Sequence, residues 1–254
     1  MKTAIISKEF FIGRYIYLTR EFEALPNITF INMGHYDGVS LKLPNEKEKR
    51  ITNQNTNWPR YESMAKRRLK LKEQKEKLME MWSSEYSGSL STLAAGYRLV
   101  PNVNNRFNSE LWESFKADTN QHSKSHTYSH NGIMMRSVFE TTVAQILDDM
   151  GIEYKYEVEL DLGEEGRVFP DMALNFPEFN RCGFVEALGL LDDEDYILKT
   201  SRKFSKYTKN GLYINRDFQF IPADYNYRPE SQEIKKMISI ICDTIAAQYV
   251  MKKS

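Results

Sequence analysis

The chain has 254 residues, with 35 Lys and Arg balanced by 35 Asp and Glu, 41% hydrophobic and 13% aromatic content, and only 12 Gly and 8 Pro. That profile fits a folded globular protein and excludes disordered, collagen-like and membrane-bundle classes. Cys182 and Cys242 are the only cysteines, too few for a disulfide framework or a cysteine zinc site, and no run approaches the roughly 18 uncharged apolar residues of a membrane span, so a cytoplasmic protein with no membrane partner is expected.

Residues 1–45 mix short apolar runs with a turn signal at Gly34 to Gly38, which reads as short strands or a helix with a hairpin. Residues 60–82 lack Gly and Pro and are rich in strong helix formers, predicting a helix with a thin apolar seam at Met64, Leu71, Leu78 and Trp82, and Met64, Met79 and Met81 read as core filling. Residues 102–131 are polar and read as a loop-rich connection, so two regions are expected, 1–125 and 126–254.

The second region is more regular. Phe139, Val143, Ile146, Leu147 and Met150 share one helical face, and Gly151 stands at the C-cap position. Residues 152–160, 167–176 and 182–188 then read as three strands. A helix follows, capped by Asp192 and stopped by Asn210-Gly211, then a strand over 212–221 and a last helix over 230–250. The expected fold class is α/β (α+β), with a central mixed sheet flanked by helices and a helical, basic N-terminal region.

Charge is unevenly spread. Between Lys42 and Lys77 stand 12 Lys and Arg against 5 Glu, whereas 145–195 carries 15 Asp and Glu against 3 Lys and Arg. The basic stretch suits a polyanion-binding surface, with Lys66, Arg67, Arg68, Lys70 and Lys72 of the first long helix as candidate phosphate contacts. A solvated helix face accounts for such a run equally well.

Chemistry concentrates on a few acidic residues. Asp171 has the opposite strand parity from its apolar neighbours Val168, Met172 and Leu174, so its side chain leaves on the other face. Glu186 lies within GFVEALG, otherwise apolar or small, and a buried carboxylate there needs a cation or a lysine.

The segments RSVFE (136–140), IEYKYEVEL (152–160), FPD (169–171) and FVEALG (184–189), followed by Tyr196, Lys203, Tyr207 and Asn210-Gly211, resemble the PD-(D/E)xK nuclease superfamily with its restriction-endonuclease-like core. The resemblance spans about 85 residues and is closest to members whose strand glutamate is followed by glycine. It implies a metal-dependent DNA endonuclease that hydrolyses phosphodiester bonds, with RNA as a further candidate substrate. It also implies that Asp171 and Glu186 hold Mg²⁺ or Mn²⁺, and that Glu140 assists from the preceding helix. Basic residues of the N-terminal region would grip the duplex or a protein partner.

One position departs from the superfamily. Leu188 stands two residues after Glu186, where a lysine is usual, so the catalytic lysine is sought on the next helix, where Tyr196, Lys199, Lys203 and Tyr207 recur on one face. Lys203 is the first choice and Lys199 the second. The alternative is a catalytically inactive nuclease-fold module of a phage or mobile element that binds DNA or protein. His122, His126 and His130 recur every four residues, but their polar surroundings read as loop rather than a zinc-binding helix.

Overall fold

The computed structural model describes residues 4–32, 34, 36–100, 105–119 and 128–253; His122 and His126 lie outside them. Helix α1 (Lys8–Ala24) starts at Ser7, whose hydroxyl accepts from the Phe10 N–H, and it buries Phe10, Phe11, Ile12 and Leu18. Strands β1 (Asn27–Asn32), β2 (Asp37–Lys42) and β3 (Lys49–Thr52) form an antiparallel sheet in that order.

Helix α2 (Trp58–Glu85) has Pro59 in its first turn, where a missing N–H costs nothing, and buries Ala65, Leu71, Leu78 and Trp82. It overhangs its supports. Leu69 and Met79 are exposed, so Met79 is a surface residue and not core filling. After α3 (Leu90–Ala94) and β4 (Tyr97–Leu99), the expected loop contains a short helix, α4 (Ser109–Ser114), which buries Trp112. Six residues are too few to display a helical period.

The hairpin β5 (Tyr128–His130) and β6 (Ile133–Met135) leads into α5 (Val138–Asp149), which opens with a capping box between Ser137 and Glu140 and ends at Gly151, with φ at +65°. Two expected strands are broken. The first is β7 (Glu153–Tyr156) and β8 (Leu160–Asp161), parted at Glu157, which is buried in left-handed backbone. The second is β9 (Arg167–Val168) and β10 (Met172–Phe176), parted at Phe169-Pro170-Asp171, where proline has no N–H to offer a ladder.

Strand β11 (Arg181–Leu188) is buried throughout. Helix α6 (Glu194–Lys209) is capped by Asp193, not Asp192: the Asp193 carboxylate accepts from the Tyr196 N–H. The strand expected over 212–221 contracts to β12 (Phe218–Pro222), because Asp217 accepts from the Tyr213 N–H and folds 213–217 into a turn. Helix α7 (Ser231–Tyr249) and β13 (Val250–Lys252) end the fold.

The architecture is mixed α/β. Its central sheet has the order β12-β11-β10-β7, with the β11–β12 pair parallel and the others antiparallel. Met172, Leu174 and Val185 face a large core shared with α5, α7 and Phe10, Phe11 and Ile12 of α1. Ala173, Cys182 and Phe184 face a second core with Tyr207 of α6 and Trp112 of α4. The large core thus takes residues from both sides of position 125. A third, small core joins β1–β3 to α2. No described helix is long and apolar enough to cross a membrane.

Candidate functional site

Strand parity and register bring the acidic residues together. Met172 pairs with Val185, so one step beyond the ladder Asp171 lies opposite Glu186, and both share the parity of Ala173 and Phe184, the α6 side of the sheet. The Asp171 carboxylate is fixed there by accepting the Ala187 N–H at 2.7 Å. Glu186 is fully buried, and Lys203 Nζ reaches it from α6 at 2.6 Å while also donating to the Phe169 carbonyl at 2.5 Å. Tyr207, one turn after Lys203, donates its hydroxyl to the other Glu186 oxygen.

Glu140 enters from the first turn of α5. Its Oε2 accepts from the N–H groups of Arg136 and Ser137 and from the Tyr156 hydroxyl, each at about 3 Å. Arg136 ties the group together: its guanidinium pairs with Glu157, and lies 3.6 Å from Glu140 and 3.5 Å from Asp171. Among the four sequence-nominated residues, Glu140, Asp171, Glu186 and Lys203 therefore all converge. Arg136, Tyr156, Glu157 and Tyr207 complete the group without having been nominated. Arg136 precedes the N-cap Ser137 and stands outside the helical period of α5, so spacing gave no signal for it.

The electrostatics carry an excess of negative charge. Four carboxylates (Glu140, Glu157, Asp171, Glu186) meet two cations (Arg136, Lys203). Burial first, and then the neighbouring Asp171 charge, push Glu186 up to about 7 although Lys203 pulls it down. Burial and Asp171 raise Glu140 in the same way, and burial with the Glu186 charge holds the Tyr207 hydroxyl protonated.

This donor set is suited to a hard divalent cation. Among the described residues no three His, Cys, Asp or Glu side chains gather into a complete metal cage. Two carboxylates on adjacent strands, within a surplus of negative charge, match the mode in which Mg²⁺ keeps several waters and takes its remaining ligands from phosphate.

The other candidates are placed differently. Lys199 is exposed, and the Lys206 ammonium lies beside Gly166. His130 pairs with Asp148 at 2.6 Å. On α2, Lys66 pairs with Glu62, Arg67 with Glu21, Lys70 with Glu153 and Lys72 with Glu76, all with exposed basic side chains. Arg68 is spent within the fold, donating to the carbonyls of Phe22 and Leu25 at the end of α1 and stacking on the Phe22 ring. Comparison with family models, curated proteins and solved structures finds no match to this chain.

Proposed function

We propose that the chain is a metal-dependent DNA endonuclease that hydrolyses phosphodiester bonds, a PD-(D/E)xK enzyme whose lysine has moved from the strand to the next helix. The observation that carries this reading is the landing of Lys203 on Glu186, beside Asp171, where Leu188 leaves the strand without a cation. The order α5-β7-β10-β11-α6-β12 fits the same reading. Asp171 and Glu186 would hold Mg²⁺ or Mn²⁺, which when bound supplies Lewis acidity toward the phosphoryl group and acidifies an attacking water.

The remaining work falls to the chain. Lys203 presents an ammonium that orients a water through hydrogen bonding and offsets charge developing on the phosphoryl oxygens. The Ala187 N–H and the Tyr207 hydroxyl hold Asp171 and Glu186 in one orientation each. Arg136 and Glu140 brace the Asp171 side of the site. The exposed ends of Lys66, Arg67, Lys70 and Lys72 neutralise DNA phosphates without choosing a sequence.

A second reading, a nuclease-fold binding module of a phage or mobile element that no longer cleaves, draws on Leu188 and on the commitment of both Glu186 oxygens to Lys203 and Tyr207. Incubating wild type and Asp171→Ala with plasmid, linear duplex, single-stranded DNA and RNA in Mg²⁺ or Mn²⁺ separates the two. Metal-dependent DNA cleavage by wild type alone is expected. DNA binding with no cleavage of any substrate would overturn the enzyme reading.

A further inference from the structure

The sheet β1–β3 has an inner face whose composition changes abruptly along its length. Ile28, Phe30 and Asn32 share that face by alternation, and their cross-strand partners are Leu41, Val39 and Asp37. Where α2 covers it, the face is apolar: Ile28, Val39, Leu41 and Ile51 pack with Ala65. Past the start of α2 the next row is Asn32, Asp37 and, just beyond the end of β3, Asn53, all polar, with the Asn53 N–H donating to the Asp37 carbonyl at 3.0 Å. All three are exposed beyond the cover of α2, and the Asn32 side-chain oxygen accepts from the Gly34 N–H at 2.9 Å.

That row floors a cleft of about 600 Å³, walled by Phe30, Tyr36 and Trp58. Phe30, on β1, and Tyr36, just before β2, each expose more than two-fifths of their surface. Aromatic walls stack on flat rings, the amides both donate and accept, and Asp37 accepts only. Glu62 also lines the cleft, and although Lys66 pairs with it, Asp37 beside it leaves the lining net negative, which disfavours phosphate there. The cations lie outside, at Lys42, Lys47, Lys49 and Arg50, all exposed on β2, β3 and the turn between them.

We infer that this cleft is a nucleobase-binding site, taking one unstacked base between Phe30, Tyr36 and Trp58, with Asp37 selecting a base edge rich in N–H donors, as in guanine. The base arrives either as part of a single strand or as a free nucleoside. This inference deepens the nucleic-acid reading above, and its test is run in chelator so that it does not depend on cleavage.

The full chain is titrated with fluorescein-labelled 12-mers of mixed sequence that contain either one central guanine or thymine at that position, and anisotropy is followed in EDTA. The guanine strand is expected to bind more tightly. Asp37→Asn should remove that preference, and Phe30→Ala and Asn53→Ala should each weaken binding by about tenfold, the scale of one stacked or paired base. All three positions are exposed, and melting curves confirm that the variants fold. Competition by deoxyguanosine would identify the free nucleoside as sufficient; resistance to it, with strand binding intact, would assign the base to a strand. Failure of wild type to bind any strand or nucleoside, or equal binding by wild type and all three variants, would overturn the inference. A chain that binds bases but never cleaves would leave this site standing and sink the endonuclease reading.

Discussion

In the proposed site Lys203 would stand in for a missing strand lysine. The strand position two residues after Glu186, where a lysine is usual, holds Leu188, which is buried in the sheet. Lys203 reaches Glu186 because an α-helix places residues three and four apart on one face, so the turn that seats Tyr207 against Glu186 also delivers the Lys203 ammonium. Lys203→Ala should lower single-turnover cleavage by about two orders of magnitude or more, the scale of one transition-state electrostatic contact, with the fold retained because Glu186 can then take up a proton. Lys199→Ala and Lys206→Ala should each cost less than about threefold, since Lys199 is exposed and the Lys206 ammonium lies beside Gly166. Full activity in Lys203→Ala would refute the assignment. The site was legible at this scale because Asp171, Glu186 and Lys203 obey simple strand and helix periods. Arg136 and Glu157 were not, because Glu157 leaves the strand in left-handed backbone at φ +44° and its burial follows from that local break, not from alternation.

Long periodic elements could be read from the residues, and interrupted ones could not. The cores of α2, α5 and α7 follow apolar spacing set by packing, whereas β7, β9 and β12 are cut short by Glu157, Pro170 and the Asp217 turn, each a single hydrogen-bonding event invisible to periodicity. The basic stretch of α2 is a mixed case. Its charge was evident, but the use of Arg68 to hold the end of α1 required the tertiary contact. Strand β11 depends on a close approach that sequence only hints at. A Cβ on Gly183, in the middle of β11, would stand 2.8 Å from Ile241 Cδ1 of α7 and 3.3 Å from the Asp217 carbonyl oxygen. Gly183→Ala should therefore destabilise the fold by about 1–3 kcal/mol, the usual cost of overpacking a filled core. Calorimetry would register this as a lower Tm, and an unchanged Tm would show that α7 can move off the sheet freely.

Across the whole molecule, one core joins α1 to α5 and α7, and buried carboxylates are distributed through it and the site. Burial is the leading cause that raises Glu140, Glu178, Glu186 and Asp243 above their ordinary values. Glu153 goes the other way: burial is the largest influence and raises it, but the Lys70 hydrogen bond and charge, with the Asn175 hydrogen bond and Arg14, together outweigh that. A group with a raised folded pKa binds more protons in the native state than in the unfolded state, so stability is lost as pH climbs from the ordinary carboxylate value through the folded one. In the absence of metal, Tm should therefore fall between about pH 5 and about pH 7.5, and Glu178→Gln, remote from the site, should flatten that slope. A Tm that rises over the interval would contradict the four shifts. The same surplus of negative charge around Asp171 and Glu186 is what a divalent cation would relieve. The most direct measurement is the Tm of wild type and Asp171→Asn, both folded, at millimolar Mn²⁺ against chelator. The proposed site requires a rise in wild type, about 1.4 kcal/mol of stabilisation at ten times Kd, that is absent in the variant; no rise, or the same rise in both proteins, would contradict it.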